Sequence, residues 1–169
     1  LDAPVVTVGS FRGLLATGGH NAYERLVSSL HAAAIVAERC GVRLAIEPLN
    51  RYETDIVHDV AEGLALCKEI GSHAVGLLID TFHANIEEPS LQQSFVRAIE
   101  NDRLFHVHIG DSNRLAPGMG HINFAGIVTV LRDAGYAGYL SAELLPKPDP
   151  DTAAALTIHH MHSRRSHPG

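Results

Sequence analysis

Four residues whose side chains can hold a cation recur along the chain at nearly equal intervals. Glu47 follows Leu44-Ala45-Ile46, and Asp80 follows Leu77-Leu78-Ile79. His108 closes Phe105-His106-Val107, and Glu143 follows Leu140-Ser141-Ala142. Each interval is about 30 residues, the length of one strand-helix-strand unit. A single acid after a strand needs no explanation beyond loop polarity. Four in register, each behind an apolar run, call for a common site. Three carboxylates and one imidazole brought together would repel strongly without a cation. Oxygen-rich ligands with one nitrogen suit Mn²⁺, Mg²⁺ or Co²⁺ better than a thiolate-preferring metal. One divalent ion, Mn²⁺ first among these, is therefore expected on Glu47, Asp80, His108 and Glu143.

Further polar groups lie just past the same strand ends. Arg51 and Glu53 follow Glu47, His83 follows Asp80, and Arg114 follows His108. Residues 117–121, Pro-Gly-Met-Gly-His, form a glycine-rich loop able to close over a small ligand. Phe11, Arg12 and Gly13 follow the first strand and are weaker candidates for a pocket wall.

The elements that would position these groups alternate regularly. Strands are expected at Val5–Val8, Val42–Ile46, Val75–Ile79, Leu104–Ile109 and Tyr139–Ala142. Helices are expected at Asn21–Cys40, Asp59–Ile70, Leu91–Glu100, Phe124–Ala134 and from Asp151 to about Met161. Asn21 is placed as a helix cap, and Gly41, Gly71 and Gly135 as helix stops. Strand-helix alternation means α/β with a parallel sheet. An open doubly wound sheet gathers ligands at one switch point, whereas four neighbouring strand ends converge only around a barrel axis. The expected fold is therefore a parallel (β/α) barrel of TIM type. It is incomplete, because the 169 residues supply about five units of eight. The partial barrel is assigned to residues 1–162 and a flexible tail to 163–169.

Composition narrows the function. The net charge of −6 disfavours a nucleic-acid track. No apolar run is long enough to cross a membrane, and no basic-then-apolar leader opens the chain. Two cysteines among 169 residues make no disulfide framework. A cytoplasmic location is expected.

The segments Glu47-Pro-Leu-Asn-Arg-Tyr-Glu-Thr-Asp55, Asp80-Thr-Phe-His-Ala-Asn-Ile-Glu-Glu88 and His106-Val-His-Ile-Gly-Asp-Ser-Asn-Arg114, continuing to Ala116-Pro-Gly-Met-Gly-His121, resemble the xylose-isomerase-like sugar isomerases and epimerases. Within that family they are most similar to the ketose 3-epimerases and keto-sugar-acid epimerases. The resemblance runs from Val5 to about Ala155 and matches strands four to eight of the barrel. It implies that Glu47, Asp80, His108 and Glu143 are the divalent-metal ligands. It further implies that Glu47 and Glu143 are the acid/base pair, and that Glu53, His83 and Arg114 hold the substrate. Asn123 departs from the family pattern, in which many members carry Asp.

The reaction so implied is epimerisation of a keto-sugar or keto-sugar acid. A proton alpha to the carbonyl is removed, the metal stabilises the enediolate, and the opposite face is reprotonated. The alternatives are an aldose–ketose or hydroxypyruvate-type isomerase on the same site, or a fragment acting only as an assembly module. The related abasic-DNA endonucleases need more histidines at strand ends. The chain does not open with Met, and its outer strands would have unpaired edges. Either an upstream segment supplies three more units, or the chain pairs with another copy.

Several residues invite chemistry but read more simply as structure. Cys40 and Cys67 fall among helical Ala, Leu and Ile and are expected to be buried. His31 and His73 are assigned to packing or surface. His106 is expected to point away from His108. His159, His160 and His162 are assigned to a solvated helix face, and Glu87-Glu88 and Asp149–Asp151 to solvated loops.

Overall fold

In the computed structural model, which describes residues 3–165, five strands pair in parallel in the order β1-β2-β3-β4-β5. They are β1 (Val5–Val8), β2 (Arg43–Ile46), β3 (Val75–Asp80), β4 (Leu104–Ile109) and β5 (Leu140–Ala142). Sequence order equals spatial order, so each crossover helix returns the chain to the next position along a curving wall. The result is a partial TIM barrel.

The helices are α1 (Leu15–Gly18), α2 (Ala22–Cys40), α3 (Val60–Ile70), α4 (Thr81–Glu87), α5 (Leu91–Glu100), α6 (Phe124–Asp133) and α7 (Pro150–Arg165). A one-turn 3-10 helix covers Ser10–Arg12. The short elements at residues 10–18 and helix α4 were not expected from sequence, being too short to show a helical period. Helix α7 runs through Arg165, beyond the boundary expected at 162. The remaining residues assigned to a tail, 166–169, lie outside the described residues.

Local chemistry sets the helix ends. Asp59 accepts the Glu62 N–H and caps α3, Ser90 accepts from Gln93 at the start of α5, and Asn123 accepts from Gly126 at the start of α6. Asn123 is thus a working cap despite departing from the expected family pattern. Gly41 and Gly71 end α2 and α3 in the left-handed conformation, with φ of 64° and 75°. Asn21 differs from expectation. It is itself left-handed at φ 62°, and its side chain makes no capping bond.

The core lies between the sheet and the helices. Leu44, Ile46, Val75, Leu77, Ile79, Val107 and Ile109 face Leu30, Ala34, Leu66, Phe95 and Phe124. Among the described residues, the opposite, concave face holds a small apolar cluster of Ala45, Leu78 and Phe105, with Val5 packed against it. Every residue of β3 is buried, as the centre of a wall covered on both sides demands. The outermost strands are less protected, with Val6 47% exposed and β5 only half-buried. A groove lined by Tyr136, Tyr139, Leu140, Ile158 and Met161 opens beside β5. Another, lined by Val6, Phe11, Leu14 and Leu26, opens beside β1.

Two expectations about burial need correction. Cys67 is buried, but Cys40 is exposed, because it falls at the last turn of α2, outside the stripe of Leu30, Ala34 and Ala37. Glu87 and Glu88 do not occupy a solvated loop. Glu87 ends α4 and takes a bidentate bond from Arg51, and Glu88 accepts the Val60 N–H at 2.8 Å. Of the three C-terminal histidines, His160 is half-buried and packs edge-on against Phe124, with ring centroids 5.8 Å apart. A solvated face describes His159 and His162, not His160.

Candidate metal centre

The parallel register brings the strand ends level. Ile46 pairs with Val8, Asp80 with His108, and Ile109 with Ala142. The backbone N–H of Glu47 donates to Val8 O at 3.1 Å, and that of Glu143 donates to Ile109 O at 3.1 Å. Both glutamates therefore leave the sheet as the first residue past a strand, anchored to the neighbouring strand. Gly9 makes room for one of them, since a Cβ there would come within 2.9 Å of Glu47 Oε2. Gly110 makes room for the other, where a Cβ would meet the Glu143 carbonyl at 2.7 Å.

The four expected ligands converge. One ligand atom from each of Glu47, Asp80, His108 and Glu143 lies within 4.8 Å of all the others. His108 Nδ1 is 2.7 Å from Glu143 Oε2 and 3.5 Å from Glu47 Oε1. Neither contact has hydrogen-bond alignment. Glu47 Oε1, Asp80 Oδ2 and His108 Nδ1 are all buried and without a hydrogen-bond partner. Buried polar atoms left unpaired are costly and uncommon. Three of them aimed into one space fit a divalent cation held by oxygen donors and one imidazole. Asp80 divides its work in a way that supports this fit. Its Oδ1 accepts the Phe82 N–H at 2.7 Å and caps α4, which leaves Oδ2 for the centre.

Electrostatics carry the same strain. Burial pushes the Asp80 carboxyl up to about 7; the Phe82 N–H opposes this, and repulsion from Glu47 and Glu143 adds to it. For His108, burial opposes the charge, but Glu143 and Glu47 overcome it and raise the imidazole to about 9. Glu143 is lowered to about 2, chiefly by His108 against its own burial, with help from Arg114. His108 and the Arg114 guanidinium are thus the groups that set positive charge against the carboxylates.

The expected substrate residues border the centre. Arg114 donates from Nη2 to Glu143 Oε1 at 2.8 Å and from Nη1 to Glu53 Oε1 at 3.2 Å. Its guanidinium lies over the Phe82 ring, 4.9 Å from the centroid. His83 is buried, with Nδ1 3.9 Å from Glu53 Oε1. Arg114 has φ of 59°, and its N–H is tied to Asp111 O at 2.7 Å.

His106 corrects another expectation. Residues two apart on a strand share a face, and the His106 and His108 rings meet edge-on with centroids 5.2 Å apart. His106 Nε2 is 2.9 Å from Ser141 Oγ, so it braces β5 beside the centre.

Three residues of the site have roles that their sequence context does not announce. Asn50 is buried and touches both Glu53 and His83; it sits inside the Glu47–Glu53 segment, which was the available signal. Asp111 is fully buried and accepts backbone N–H groups from Ser112, Gly118 and Ile122, which pins the glycine-rich loop. Arg12 does not merely line a pocket. It donates to Glu47 O at 2.8 Å and to Ile56 O at 2.9 Å, tying the segment after β2 to the turn after β1. Phe11 is 75% exposed and lines the groove beside β1.

Comparison with known proteins agrees with this geometry. The family model described as xylose isomerase-like TIM barrel matches residues 1–163. The D-psicose 3-epimerase of Enterocloster bolteae is 43% identical over 114 residues, 68% of this chain and 37% of that protein. The 3-dehydro-D-guloside 4-epimerase of Escherichia coli K12 is 36% identical over 115 residues, 68% of this chain and 43% of that protein. The crystal structure of D-allulose 3-epimerase from Methylomonas sp. superposes with a TM-score of 0.78 at 29% identity, covering 86% of this chain and 57% of that one. The matched stretch thus spans about two fifths of the length of these curated relatives.

Proposed function

The chain belongs to the xylose isomerase-like TIM barrel family, and on that premise we propose that it carries the metal-binding and acid/base part of a keto-sugar epimerase. The observation that supports this most is the convergence of Glu47, Asp80, His108 and Glu143, with three buried and unpaired atoms among them. Relatives named as epimerases of ketoses and of a keto-glycoside point to the same reaction class.

Glu47, Asp80, His108 and Glu143 would hold a divalent cation, Mn²⁺ by preference, whose charge would polarise a substrate carbonyl and make the C–H of the adjacent hydroxyl-bearing carbon more acidic. Glu47 and Glu143 are the two groups able to take and return that proton. One carboxylate removes it from one face, and the other acid delivers a proton to the opposite face, inverting the carbon. Arg114 holds Glu143 through Oε1 and so fixes which oxygen faces the reacting carbon. Glu53, His83 and Arg114 then serve the sugar. Glu53 accepts from a hydroxyl, and Arg114 donates to an oxygen.

A second reading rests on the exposed edges of the wall. Val6, the half-buried β5 and the grooves beside them leave apolar surface for further strand-helix units, either from the same polypeptide or from a second copy. Catalysis by the whole protein depends on that completion. Sedimentation or light scattering reads the copy number, and a monomeric, cooperatively melting 169-residue chain would remove the need for either. No helix among the described residues is long and apolar enough to cross a membrane. The two free cysteines fit a reducing, cytoplasmic setting.

The activity is tested by incubating a panel of ketoses and keto-acids with the protein and Mn²⁺, then assigning the product stereochemistry. Inversion beside an unmoved carbonyl is expected. Movement of the carbonyl itself would replace epimerisation with aldose–ketose isomerisation.

A further inference from the structure

Hydrogen-bond geometry around Asn50 determines the state of the His83 ring. The Tyr52 N–H donates to Asn50 Oδ1 at 3.0 Å. A backbone N–H can only donate, so this contact identifies Oδ1 as the carbonyl oxygen and fixes the orientation of the amide. The amide nitrogen then has two hydrogens to place. Nδ2 lies 3.0 Å from Glu53 Oε1 and 2.7 Å from His83 Nδ1. The backbone N–H of Asn50 also donates to His83 Nδ1, at 3.3 Å. Two donors therefore meet at Nδ1, and neither can accept. An Nδ1 that receives them carries no hydrogen.

We propose that Asn50 is a positioning residue that locks His83 as the Nε2–H tautomer, making it a hydrogen-bond donor to a substrate oxygen rather than an acceptor or a base. The substrate part of this assignment rests on the epimerase reading; the tautomer does not. Asn50 and His83 are 2% and 1% exposed, so water has little access with which to replace these bonds. Among the described residues the ring receives its hydrogen bonds at Nδ1 and none at Nε2. Burial also lowers the basicity of His83, partly offset by Glu53 and Glu47, which favours the neutral ring.

The division of labour that follows is specific. Asn50 joins the acceptor Glu53 and the donor His83 through one rigid amide. With Arg114 on the other side of Glu53, the wall offers an acceptor between two donors. That pattern suits adjacent oxygens of a sugar, one of them a hydroxyl that donates to Glu53.

The test is long-range ¹H–¹⁵N correlation of ¹⁵N-histidine-labelled, ligand-free protein near neutral pH, with the His83 signal assigned by its loss in His83→Gln. Wild type is expected to show an unprotonated Nδ1 and a protonated Nε2. In Asn50→Asp the new carboxylate accepts instead of donating, and His83 is expected to gain a proton on Nδ1. A proton on Nδ1 in wild type would overturn the proposal, as would an unchanged Nε2–H tautomer in folded Asn50→Asp. Should that variant not fold, the wild-type spectrum alone decides the tautomer, and Asn50→Ala, which removes the amide without adding charge, is expected to give mixed tautomers. Turnover is measured separately. A fall in kcat/KM of about 10- to 100-fold is expected for Asn50→Asp. An Nε2–H ring in a protein inactive on every ketose would contradict the epimerase reading and leave the tautomer assignment standing.

Discussion

Arg114 donates from Nη2 to Oε1 of Glu143 over 2.8 Å, and so leaves Oε2 as the oxygen that faces His108 Nδ1 at 2.7 Å. The carboxylate is divided between a cation that orients it and the centre where the chemistry is placed. Arg114→Met removes the orienting bond and leaves the ligand in position. Its kcat/KM is expected to fall about 100-fold. Folding stability should change by less than about 1 kcal/mol, because the pair is partly open to solvent. Steady-state kinetics beside a urea melt separate the two.

Metal-free stability should decline as pH rises from 6 to 9. The raised folded pKa of Asp80, about 7, means that stability present below its ordinary value is lost as pH climbs through 7. His108, raised to about 9, contributes fully below its ordinary value and is lost as pH passes 9. Glu143 works in the opposite sense, and its contribution is lost only as pH falls toward 2. Tm measured in chelator across this range should fall. Asp80→Asn should flatten the curve below about pH 7 and raise Tm at pH 8, with a gain on the order of 2 kcal/mol, while the decline from about pH 7 to 9 set by His108 persists. A Tm that rises with pH would contradict this balance.

Metal binding should reverse that trend and release protons. A cation must displace the proton that His108 carries near neutral pH. Titration calorimetry with Mn²⁺ in two buffers of different ionisation enthalpy should show about one equivalent bound with net proton release. Affinity should increase from pH 6 to 9. His108→Ala should remove most of the affinity and the pH dependence above about 7, leaving the part set by Asp80. At a free concentration of 100 times Kd, binding should stabilise the fold by about 2.7 kcal/mol.

Arg12 reaches across the top of the sheet to carbonyls of Glu47, Ile56 and Val57. Arg12→Leu removes the bond to Glu47 O, while Val57 O keeps the Leu49 N–H and Ile56 O keeps the Thr54 hydroxyl, so a loss of about 1 kcal/mol is expected. Because the lost bond holds Glu47 O, Mn²⁺ affinity should weaken as well. Chemical denaturation and calorimetry on the same variant check both outcomes.

The strands and the four converging ligands were legible because they follow simple periodicities. An apolar run ending in an acid, repeated at the length of one strand-helix unit, fixes both the element and the end of the sheet at which its side chain emerges. Helix α4 was not legible, since seven residues beginning at a capping Asp80 resemble a polar loop. The dual use of Asp80, one oxygen for the cap and one for the centre, requires coordinates to see. Asn50 was hidden for a related reason. An amide between a carboxylate and an imidazole has no spacing signature, and its importance appears only when Tyr52 N–H fixes its orientation. His106 shows the opposite case, because the two-residue period alone puts it on the face of His108.

The exchange of solvent deuterium into a keto-sugar tests the paired-carboxylate reading at its centre. The protein, loaded with Mn²⁺ in ²H₂O and compared with Glu47→Gln and Glu143→Gln, should place deuterium on the carbon beside the carbonyl as that carbon inverts. Each variant should lose inversion by at least about 1,000-fold. Wild-type rates of exchange and inversion in both variants would contradict the assignment.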